Sequence, residues 1–285
     1  MGERGHEPVM VEEVVRFLGG RGTVVDMTLG AGGHAEALLE SGVKYLVGVD
    51  RDPVAVELAG ARLARFGERF LAVRARFSDM PVENRVDGFL YDLGVSSMQL
   101  DEAERGFSYR LSGPLDMRMD LEGESAMELV NSAPEEELAR ILFEYGEERR
   151  ARRVAAAIVR ARGRRPIETT EELARVVAGA VGRRRGGPHP ARRTFQALRI
   201  AVNRELEELA ASLPRAAGLL APGGRVVVIA YHSLEDRIAK RFFLHEERLV
   251  ALTKKPLRPS PQETARNPRA RSARLRAAEL AEAAA

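Results

Sequence analysis

Residues 23–34 read Thr-Val-Val-Asp-Met-Thr-Leu-Gly-Ala-Gly-Gly-His, a short apolar strand that runs into a glycine-rich turn. A second apolar stretch, Tyr45–Asp50, follows it and ends on an acid. Glycines allow a tight turn and let the backbone approach a ligand closely. An acid at the end of the second strand can accept hydrogen bonds from ribose hydroxyls. The pair is typical of the opening of a Rossmann-like unit and predicts a nucleoside-containing cofactor.

The glycine pattern alone leaves the identity of the cofactor open. Gly30, Gly32 and Ala35 fit the loose pattern G-x-G-x-x-G/A, which NAD-binding proteins share. Asp26, however, ends the first strand beside the loop that would hold a pyrophosphate, and like charges repel strongly in a partly dry site. Asp26 could instead cap the next helix.

S-adenosylmethionine resolves this conflict of charge because it has no phosphate and carries a sulfonium and an ammonium group. Three further acids, Asp50, Asp52 and Asp92, would add negative charge near the same sheet edge. A capping role for Asp26 does not explain them. The acids therefore favour S-adenosylmethionine over a dinucleotide.

Composition limits the chemistry and the cellular setting of the 285-residue chain. It contains no cysteine, which excludes disulfides, thiolate metal sites and C5 methylation of pyrimidines through a cysteine adduct. The five histidines are far apart in sequence, so no metal site is predicted. We find neither a signal peptide nor an apolar run of membrane length, and therefore expect a cytoplasmic protein without a membrane partner.

The arginines are clustered although the net charge is only +3. Basic stretches cover residues 149–165, 183–193 and 254–276, whereas acids concentrate in residues 135–137 and 205–208. Such segregation is expected of a protein that binds a phosphate backbone. Any one of these runs could also be a solvated helix face.

The order of predicted elements indicates an α/β fold interrupted by helices. Strands at residues 70–77 and 87–92, with a helix at 53–66 before them, continue the alternation and predict a parallel sheet. Between residues 101 and 190 no buried strand is predicted. Helical periodicity covers residues 125–130, 134–145, 151–162 and 170–181, and a loop follows at 183–190.

Beyond this region we predict a long helix at residues 194–219, a turn at Pro222-Gly-Gly224, a strand at 224–232 and a final strand at 248–253. The remaining tail is expected to be extended and ordered only against the body of the protein or RNA. We therefore predict a discontinuous sheet domain, residues 1–102 and 194–285, and an inserted helical domain, residues 103–193, that recognises RNA.

Ligands of open parallel sheets bind beyond the carboxyl ends of the strands. The fourth strand ends in Asp92-Leu-Gly-Val-Ser-Ser97, and Gln99 follows. Asp92, Ser96, Ser97 and Gln99 are thus candidates to orient a cofactor and a substrate amine. Methylation of an exocyclic amine needs alignment and one proton acceptor. Hydrogen bonding within the loop is the alternative role for each serine.

Three ring side chains are further candidates. Phe77 is expected at the end of the third strand, where it would contact adenine or serve as a core aromatic. His34 starts a helix after the glycine turn, so its backbone N–H would point at the ligand. His232 is expected at the end of the fifth strand, as a base or a base-positioning group or as a buried histidine with satisfied hydrogen bonds.

Eight blocks of the chain resemble the MraW-type family of bacterial ribosomal RNA small-subunit methyltransferases. The most specific are Pro114-Leu-Asp-Met-Arg-Met-Asp120 and His232-Ser-Leu-Glu-Asp-Arg237. The other six are Thr28–His34, Asp50–Pro53, Asp92–Ser97, Glu104–Ser108, Tyr145–Glu148 and Arg193–Arg199.

The resemblance implies S-adenosylmethionine-dependent N4-methylation of a cytidine in the decoding region of 16S ribosomal RNA. It also implies a Rossmann-like class I methyltransferase sheet split by an all-helical domain. The partner would be small-subunit ribosomal RNA, within an assembled or late-assembling 30S subunit, and a homodimer stays open. Together with Gly30 of the glycine pattern, the implied cofactor contacts are Gly32, Gly33, His34, Asp50, Phe77, Asp92 and Gln99.

The catalytic group cannot be copied from other amino-methyltransferases, because their Asp/Asn-Pro-Pro-aromatic signature is absent after the fourth strand. Asp92, Ser96, Ser97 and His232 are the candidates. Two other functions stay open at this point: a non-enzymatic, RNA-binding factor for ribosome assembly, and an NAD-dependent oxidoreductase.

Overall fold

The computed structural model describes residues 8–182, 187 and 189–281. The chain divides into two compact units. We call Met1–Gly94 together with Leu206–Ala285 the sheet unit, and Val95–Glu205 the helical unit.

Seven strands form one mixed sheet in the sheet unit. They are β1 Thr23–Asp26, β2 Tyr45–Asp50, β3 Phe70–Arg74, β4 Val86–Asp92, β5 Leu220–Ala230, β6 Leu249–Ala251 and β7 Arg274–Leu280. Their order is β3-β2-β1-β4-β5-β7-β6, and only the pairs that β7 makes are antiparallel. This topology confirms the predicted α/β, Rossmann-like fold.

Twelve α-helices lie within the described residues. They are α1 Val11–Leu18, α2 Gly33–Glu40, α3 Pro53–Leu63, α4 Ser97–Asp101, α5 Ala126–Ser132, α6 Glu135–Glu144, α7 Ala151–Arg162, α8 Thr170–Val181, α9 Arg192–Asn203, α10 Glu205–Leu219, α11 Ser233–His245 and α12 Pro261–Arg266. In the part of the chain that the structure describes, every helix is too short or too polar to cross a membrane.

Each unit has its own apolar core. Along β4, Leu90 packs into one cluster, while Phe89 and Tyr91 pack into another, because successive strand residues point to opposite faces. The sheet is thus covered on both faces, as near-continuous apolar strands require. The helical unit is built on a third cluster, to which Leu138, Val154 and many others contribute.

The helical unit, Val95–Glu205, is wider than the 103–193 predicted for the inserted domain. At its start, Val95 and Leu100 pack against the helical core. At its end, α9 contributes Phe195 and Leu198 to the same core. The predicted loop at 183–190 lies largely outside the described residues.

The predicted long helix at 194–219 is wrong, because α9 ends at Asn203 and α10 begins at Glu205. Arg204 between them adopts a left-handed conformation with φ of 51°. The Asn203 side chain is buried and bonds to the backbone of Met117 and Met119. These contacts favour the break over a continuous helix.

Two strand boundaries also differ from prediction. β3 ends at Arg74 rather than at residue 77, and a 3₁₀ turn, Phe77–Asp79, follows. β5 already begins at Leu220, and the predicted Pro222-Gly-Gly turn is an irregularity within it. There Gly223 has φ of 70°, a conformation open to glycine at little cost.

The tail beyond residue 253 is ordered against the body of the sheet unit, one of the two possibilities that we predicted, but it is not extended throughout. It forms α12, a short 3₁₀ helix and β7, which lies between β5 and β6. The predicted strand at 248–253 is present as β6, but it is not the last strand.

Candidate active site

Three acids end neighbouring parallel strands of the sheet unit. Asp26, Asp50 and Asp92 are the last residues of β1, β2 and β4, and β1 lies between the other two strands. Since all three strands run in the same direction, their carboxylates lie along one edge of the sheet. This is the edge where the sequence predicts the cofactor.

Asp26 is buried and has one carboxylate oxygen without a partner. Its Oδ1 accepts hydrogen bonds from Thr28, 3.0 Å from the backbone nitrogen and 3.2 Å from Oγ1. Among the described residues, its Oδ2 is buried and has no hydrogen-bond partner. Burial raises the pKa of Asp26 to about 6. Asp26 does not cap the next helix, because Gly32 occupies the N-cap position of α2.

Asp50 joins the glycine turn to the end of β2. Its Oδ2 accepts from the backbone N–H of Gly30 at 2.9 Å, and its Oδ1 accepts from the N–H of Asp52 at 2.9 Å. Burial raises its pKa to about 6. Asp52 itself caps α3 by accepting from Val54 N at 3.1 Å, so its carboxylate has a structural role that the sequence did not predict.

The glycine turn admits no side chain at its centre. Gly30 and Gly32 have φ of 49° and 80°, a region that L-residues rarely adopt. A Cβ atom on Gly32 would also lie 3.1 Å from Leu63 Cδ1 and 3.3 Å from Ala59 Cβ. Gly33 and His34 then begin α2, whose first backbone N–H groups have no partner within the helix.

His34, Asp92 and Tyr231 form a chain of polar side chains that we call the Asp92 relay. His34 Nε2 lies 2.8 Å from the carbonyl oxygen of Val9, so it donates to that oxygen. Its other nitrogen, Nδ1, faces Asp92 Oδ2 at 3.6 Å. Tyr231 donates its hydroxyl hydrogen to Asp92 Oδ1 at 2.8 Å. The backbone N–H of Asp92 donates to Thr28 Oγ1 at 2.6 Å.

Burial shifts the pKa of every member of the Asp92 relay toward the neutral form. It raises the pKa of Asp92 to about 7, with a further contribution from the charge of Glu235. It lowers the pKa of His34 and raises that of Tyr231 well above its usual value. Asp92 is therefore the member that exchanges a proton near neutral pH.

Phe77 does not end β3 as predicted, because the strand stops three residues earlier. It begins the 3₁₀ turn that follows and is half-buried. Its ring meets Tyr91 edge-on, with ring centroids 5.6 Å apart. It thus lies just beyond β3, the neighbour of the strand that carries Asp50.

His232 does not end β5 either, because the strand stops at Ala230 and His232 is the N-cap of α11. Its Nδ1 accepts from the backbone N–H of Glu235 at 3.4 Å, and its Nε2 lies 3.0 Å from Glu235 Oε1. Glu235 is buried and accepts from the backbone N–H groups of Tyr231 and His232. Among the described residues, the buried Nε2 of His232 has no hydrogen-bond partner despite this short distance, whereas its Nδ1 is used by the helix start.

Ser96, Ser97 and Gln99 belong to the helical unit. Ser96 caps α4 through its Oγ, which accepts from Gln99 N at 3.3 Å, and Gln99 Oε1 accepts from Ser96 N at 3.0 Å. Ser97 is the first residue of that helix. Of the predicted site residues, the structure brings together Gly30 with Asp50, His34 with Asp92, and Ser96 with Gln99.

Sequence reasoning missed Thr28, Tyr231 and Glu235. Tyr231 comes directly after β5, which pairs with β4, so strand pairing brings it to Asp92. In the sequence, only the position of Tyr231 next to the candidate His232 indicated that it lies near the site. The His-Ser-Leu-Glu spacing is also that of a capping box, which would have assigned Glu235 to the helix start. Among the described residues, no group of three or more possible metal ligands occurs.

This sheet and its acidic edge define a Rossmann-like, class I S-adenosylmethionine-dependent methyltransferase. The chain belongs to the MraW methylase family, whose model matches residues 3–281. Membership of a methylase family decides against the NAD-dependent oxidoreductase that the glycine pattern left open.

Two relatives cover almost the whole chain, and each is named ribosomal RNA small subunit methyltransferase H. The protein from Heliobacterium modesticaldum is 47% identical, in an alignment that covers 96% of this chain and 98% of its own. The one from Methylobacterium sp. (strain 4-46) is 50% identical, in an alignment that covers 98% of this chain and 91% of its own. A solved structure of a putative rRNA-methylase from Clostridium thermocellum aligns with 13% identity and a TM-score of 0.47, over 95% and 94% of the two chains.

Proposed function

We propose that this protein transfers a methyl group from S-adenosylmethionine to the exocyclic N4 of a cytidine in the decoding region of small-subunit (16S) ribosomal RNA. The observation that carries the proposal is the buried, unpartnered Asp26 Oδ2 on an edge that also holds Asp50 and Asp92. A cationic cofactor offsets the cost of that charge, whereas a diphosphate would add to it. The names of the relatives supply the ribosomal substrate.

The residues at this edge fit S-adenosylmethionine, which supplies an electrophilic methyl group when bound. Asp50 retains acceptor capacity for ribose hydroxyls, and Phe77 offers a ring for the adenine. The free N–H groups at the start of α2 suit the carboxylate of the cofactor. The proposed cofactor contacts are Gly30, Gly32, Gly33, His34, Asp50, Phe77, Asp92 and Gln99.

Asp92 is the proposed proton acceptor. When the amine takes the methyl group, the S–CH₃ bond of the donor would break to leave a neutral thioether, the N–CH₃ bond would form, and the proton of one N–H bond would move to an oxygen of Asp92. Tyr231 holds Oδ1 by a hydrogen bond, which leaves Oδ2 to take the proton beside the lone pair of His34 Nδ1. A pKa of about 7 suits a general base that works near neutral pH.

The other catalytic candidates receive supporting roles in this proposal. His232 caps α11 and shares Glu235 with the backbone of Tyr231, so it is a positioning residue for the Asp92 relay. Ser96 and Ser97, at the start of α4, orient the substrate amine. RNA recognition is assigned to the helical unit, which carries two of the basic stretches.

The test is methyl transfer from labelled S-adenosylmethionine to 16S RNA, naked or in 30S particles, followed by mapping of the modified base. We expect label on N4 of one cytidine, and a single-turnover rate that rises with pH through about 7. At saturating cofactor, Asp92→Asn should lose about 10²- to 10⁴-fold in rate. Glu57→Gln, an exposed carboxylate on α3, is the matched control.

Label on a carbon atom of the base or on the protein would contradict the proposal, as would an unchanged rate in Asp92→Asn. Cofactor binding without turnover on any ribosomal particle would support the non-enzymatic assembly role instead. Comparison of naked RNA with 30S particles also tests the proposed substrate, an assembled or late-assembling subunit in the cytoplasm. Sedimentation of the active sample tests a homodimer.

A further inference from the structure

A groove lies between two packed helices of the helical unit, α7 and α8. It encloses about 280 Å³. Its charged lining consists of Arg153, Arg160 and Arg164, which we call the groove arginines. The remaining lining is small or apolar and includes Ala157, Ala161 and Gly179.

The groove arginines line one groove because of their spacing. Arg153 and Arg160 are seven residues, two helical turns, apart on one side of α7, and Arg164 lies in the turn just beyond the helix end at Arg162. The first two are therefore separated by a rise of about 10 Å along the helix. Cations spaced in this way match the regular charges of an extended chain better than they match a single compact anion.

The groove arginines have no carboxylate partner among the described residues. Among the described residues, their side chains form no hydrogen bond or ion pair, and all three residues are exposed. In contrast, Arg140 pairs with Glu137 and Glu144, Arg165 with Glu172, and Arg175 with Glu171. We call this second set the paired arginines.

The part of the chain that the structure describes also places no carboxylate in the lining of the groove, so the charges that line it are all positive. The small side chains at Ala157, Ala161 and Gly179 leave room for a polymer backbone to approach the helices. Guanidinium groups bind phosphate oxygens through paired hydrogen bonds, which an ammonium group cannot do as well.

We infer that this groove binds the phosphodiester backbone of an RNA strand, with the groove arginines contacting about three phosphates. The inference rests on the proposed function for the identity of the nucleic acid. It assigns contacts to a specific part of the helical unit. Such contacts fix the position of the RNA without reading its sequence.

The experiment compares two triple variants of the full chain that remove the same charge. One replaces the groove arginines (R153Q/R160Q/R164Q), and the other replaces the paired arginines (R140Q/R165Q/R175Q). Binding of a fluorescent single-stranded oligoribonucleotide and of 16S RNA is measured over a range of salt concentrations. Cofactor affinity is measured by calorimetry on the same samples, and helix content by circular dichroism.

We expect the groove variant to lower the slope of log K against log salt by about 2, or about 0.7 per lost single-strand phosphate contact. The paired variant should change this slope by less than 1, and both should keep cofactor affinity. R160Q alone should lower the slope by about 0.7, which serves as a second test if the triple variant loses helix content.

Equal slopes for the two triple variants would overturn the inference. The inference would also be overturned if polyglutamate or phosphatidylserine vesicles competed for the groove more strongly than RNA does at equal charge concentration. The partner would then be a protein or a lipid surface. Failure of the proposed reaction is distinguishable, since it would remove turnover while leaving the salt-dependent difference between the two variants in place.

Discussion

Asp26 shows how a single residue links the stability of this protein to its chemistry. A buried carboxylate oxygen without a partner destabilises the fold when it is ionised. The raised pKa means that the folded chain keeps a proton on Asp26 in a pH range where the unfolded chain has lost it. The residue is therefore poorly suited to the protein without ligand and well suited to a bound cation.

The first prediction concerns the pH dependence of stability. Between the usual pKa of 3.8 and about 6, the folded state binds more protons than the unfolded state, so this contribution to stability falls as pH rises. Without cofactor, the free energy of unfolding should fall by about 1 kcal/mol more between pH 5 and 7 in the parent than in Asp26→Asn. Urea denaturation at both pH values measures the difference.

The variant Asp79→Asn, on an exposed carboxylate of the same unit, is the control and should follow the parent. If the free energy of unfolding changed equally between pH 5 and 7 in the parent and in Asp26→Asn, the Asp26 carboxylate would be hydrated in solution. Addition of S-adenosylmethionine should stabilise the parent more than Asp26→Asn at pH 8, where the cation meets the ionised group.

A second prediction separates a capping role of His232 from a catalytic one. Asparagine also caps helices well, so His232→Asn should keep the start of α11, and methyl transfer should stay within a few-fold of the parent. His232→Ala should lower the free energy of unfolding by about 1 kcal/mol. If His232→Asn folds but its turnover falls by orders of magnitude, the imidazole ring takes part in the chemistry.

The sequence predicts the acids of the site because each ends an apolar strand, and parallel strands end at one edge. It does not predict the partners of those acids. Tyr231 reaches Asp92 only because β5 pairs with β4, across 139 positions of the chain. His34 is held by Val9, a residue outside any predicted element. Such contacts follow from strand pairing and packing, which local patterns do not contain.

At the scale of elements, the break between α9 and α10 shows tertiary contacts overriding helical periodicity. Within residues 194–219 no glycine or proline stands near residue 204 to indicate a break. The buried Asn203 instead bonds to Met117 O at 2.7 Å, Met119 N at 2.8 Å and Arg199 O at 2.9 Å. Arg199 also pairs with Glu205 across the break at 2.7 Å.

The third prediction is that Asn203 is a principal determinant of the stability of the helical unit. Asn203→Ala would leave a buried N–H of Met119 and a buried carbonyl of Met117 without partners, which should lower the free energy of unfolding by about 2–4 kcal/mol. Gln196→Ala on the same helix is the control, because its amide donates a single bond to Tyr145 O and should cost about 1 kcal/mol. Urea denaturation followed by circular dichroism compares the two variants. Equal losses would mean that the break does not depend on Asn203.

At the scale of the whole chain, the sheet unit is completed by its last residues. β7 lies between β5 and β6, so the tail supplies an internal strand of the sheet. Charged residues within β7 are the reason why the sequence does not predict this strand. Arg276 is buried but pairs with Asp236 at 2.7 Å, and Glu279 pairs with Arg225 at 2.7 Å. These partners are 40 and 54 positions away, so a tail rich in Pro, Arg, Ala and Ser did not indicate a strand of the sheet.

The last prediction follows from the position of β7. A chain that ends at Ser272 lacks this strand, which removes the antiparallel partner of β5, detaches β6 and leaves Asp236 without Arg276. Two sheet edges with unpaired backbone groups would result, and exposed edges promote association. We expect this chain to aggregate in gel filtration and to bind no S-adenosylmethionine in calorimetry. A chain that ends at Ala281 removes only residues outside the described part and should behave like the parent. If the shorter chain remained monomeric and bound the cofactor, β7 would be an accessory to a sheet that β1–β5 complete by themselves.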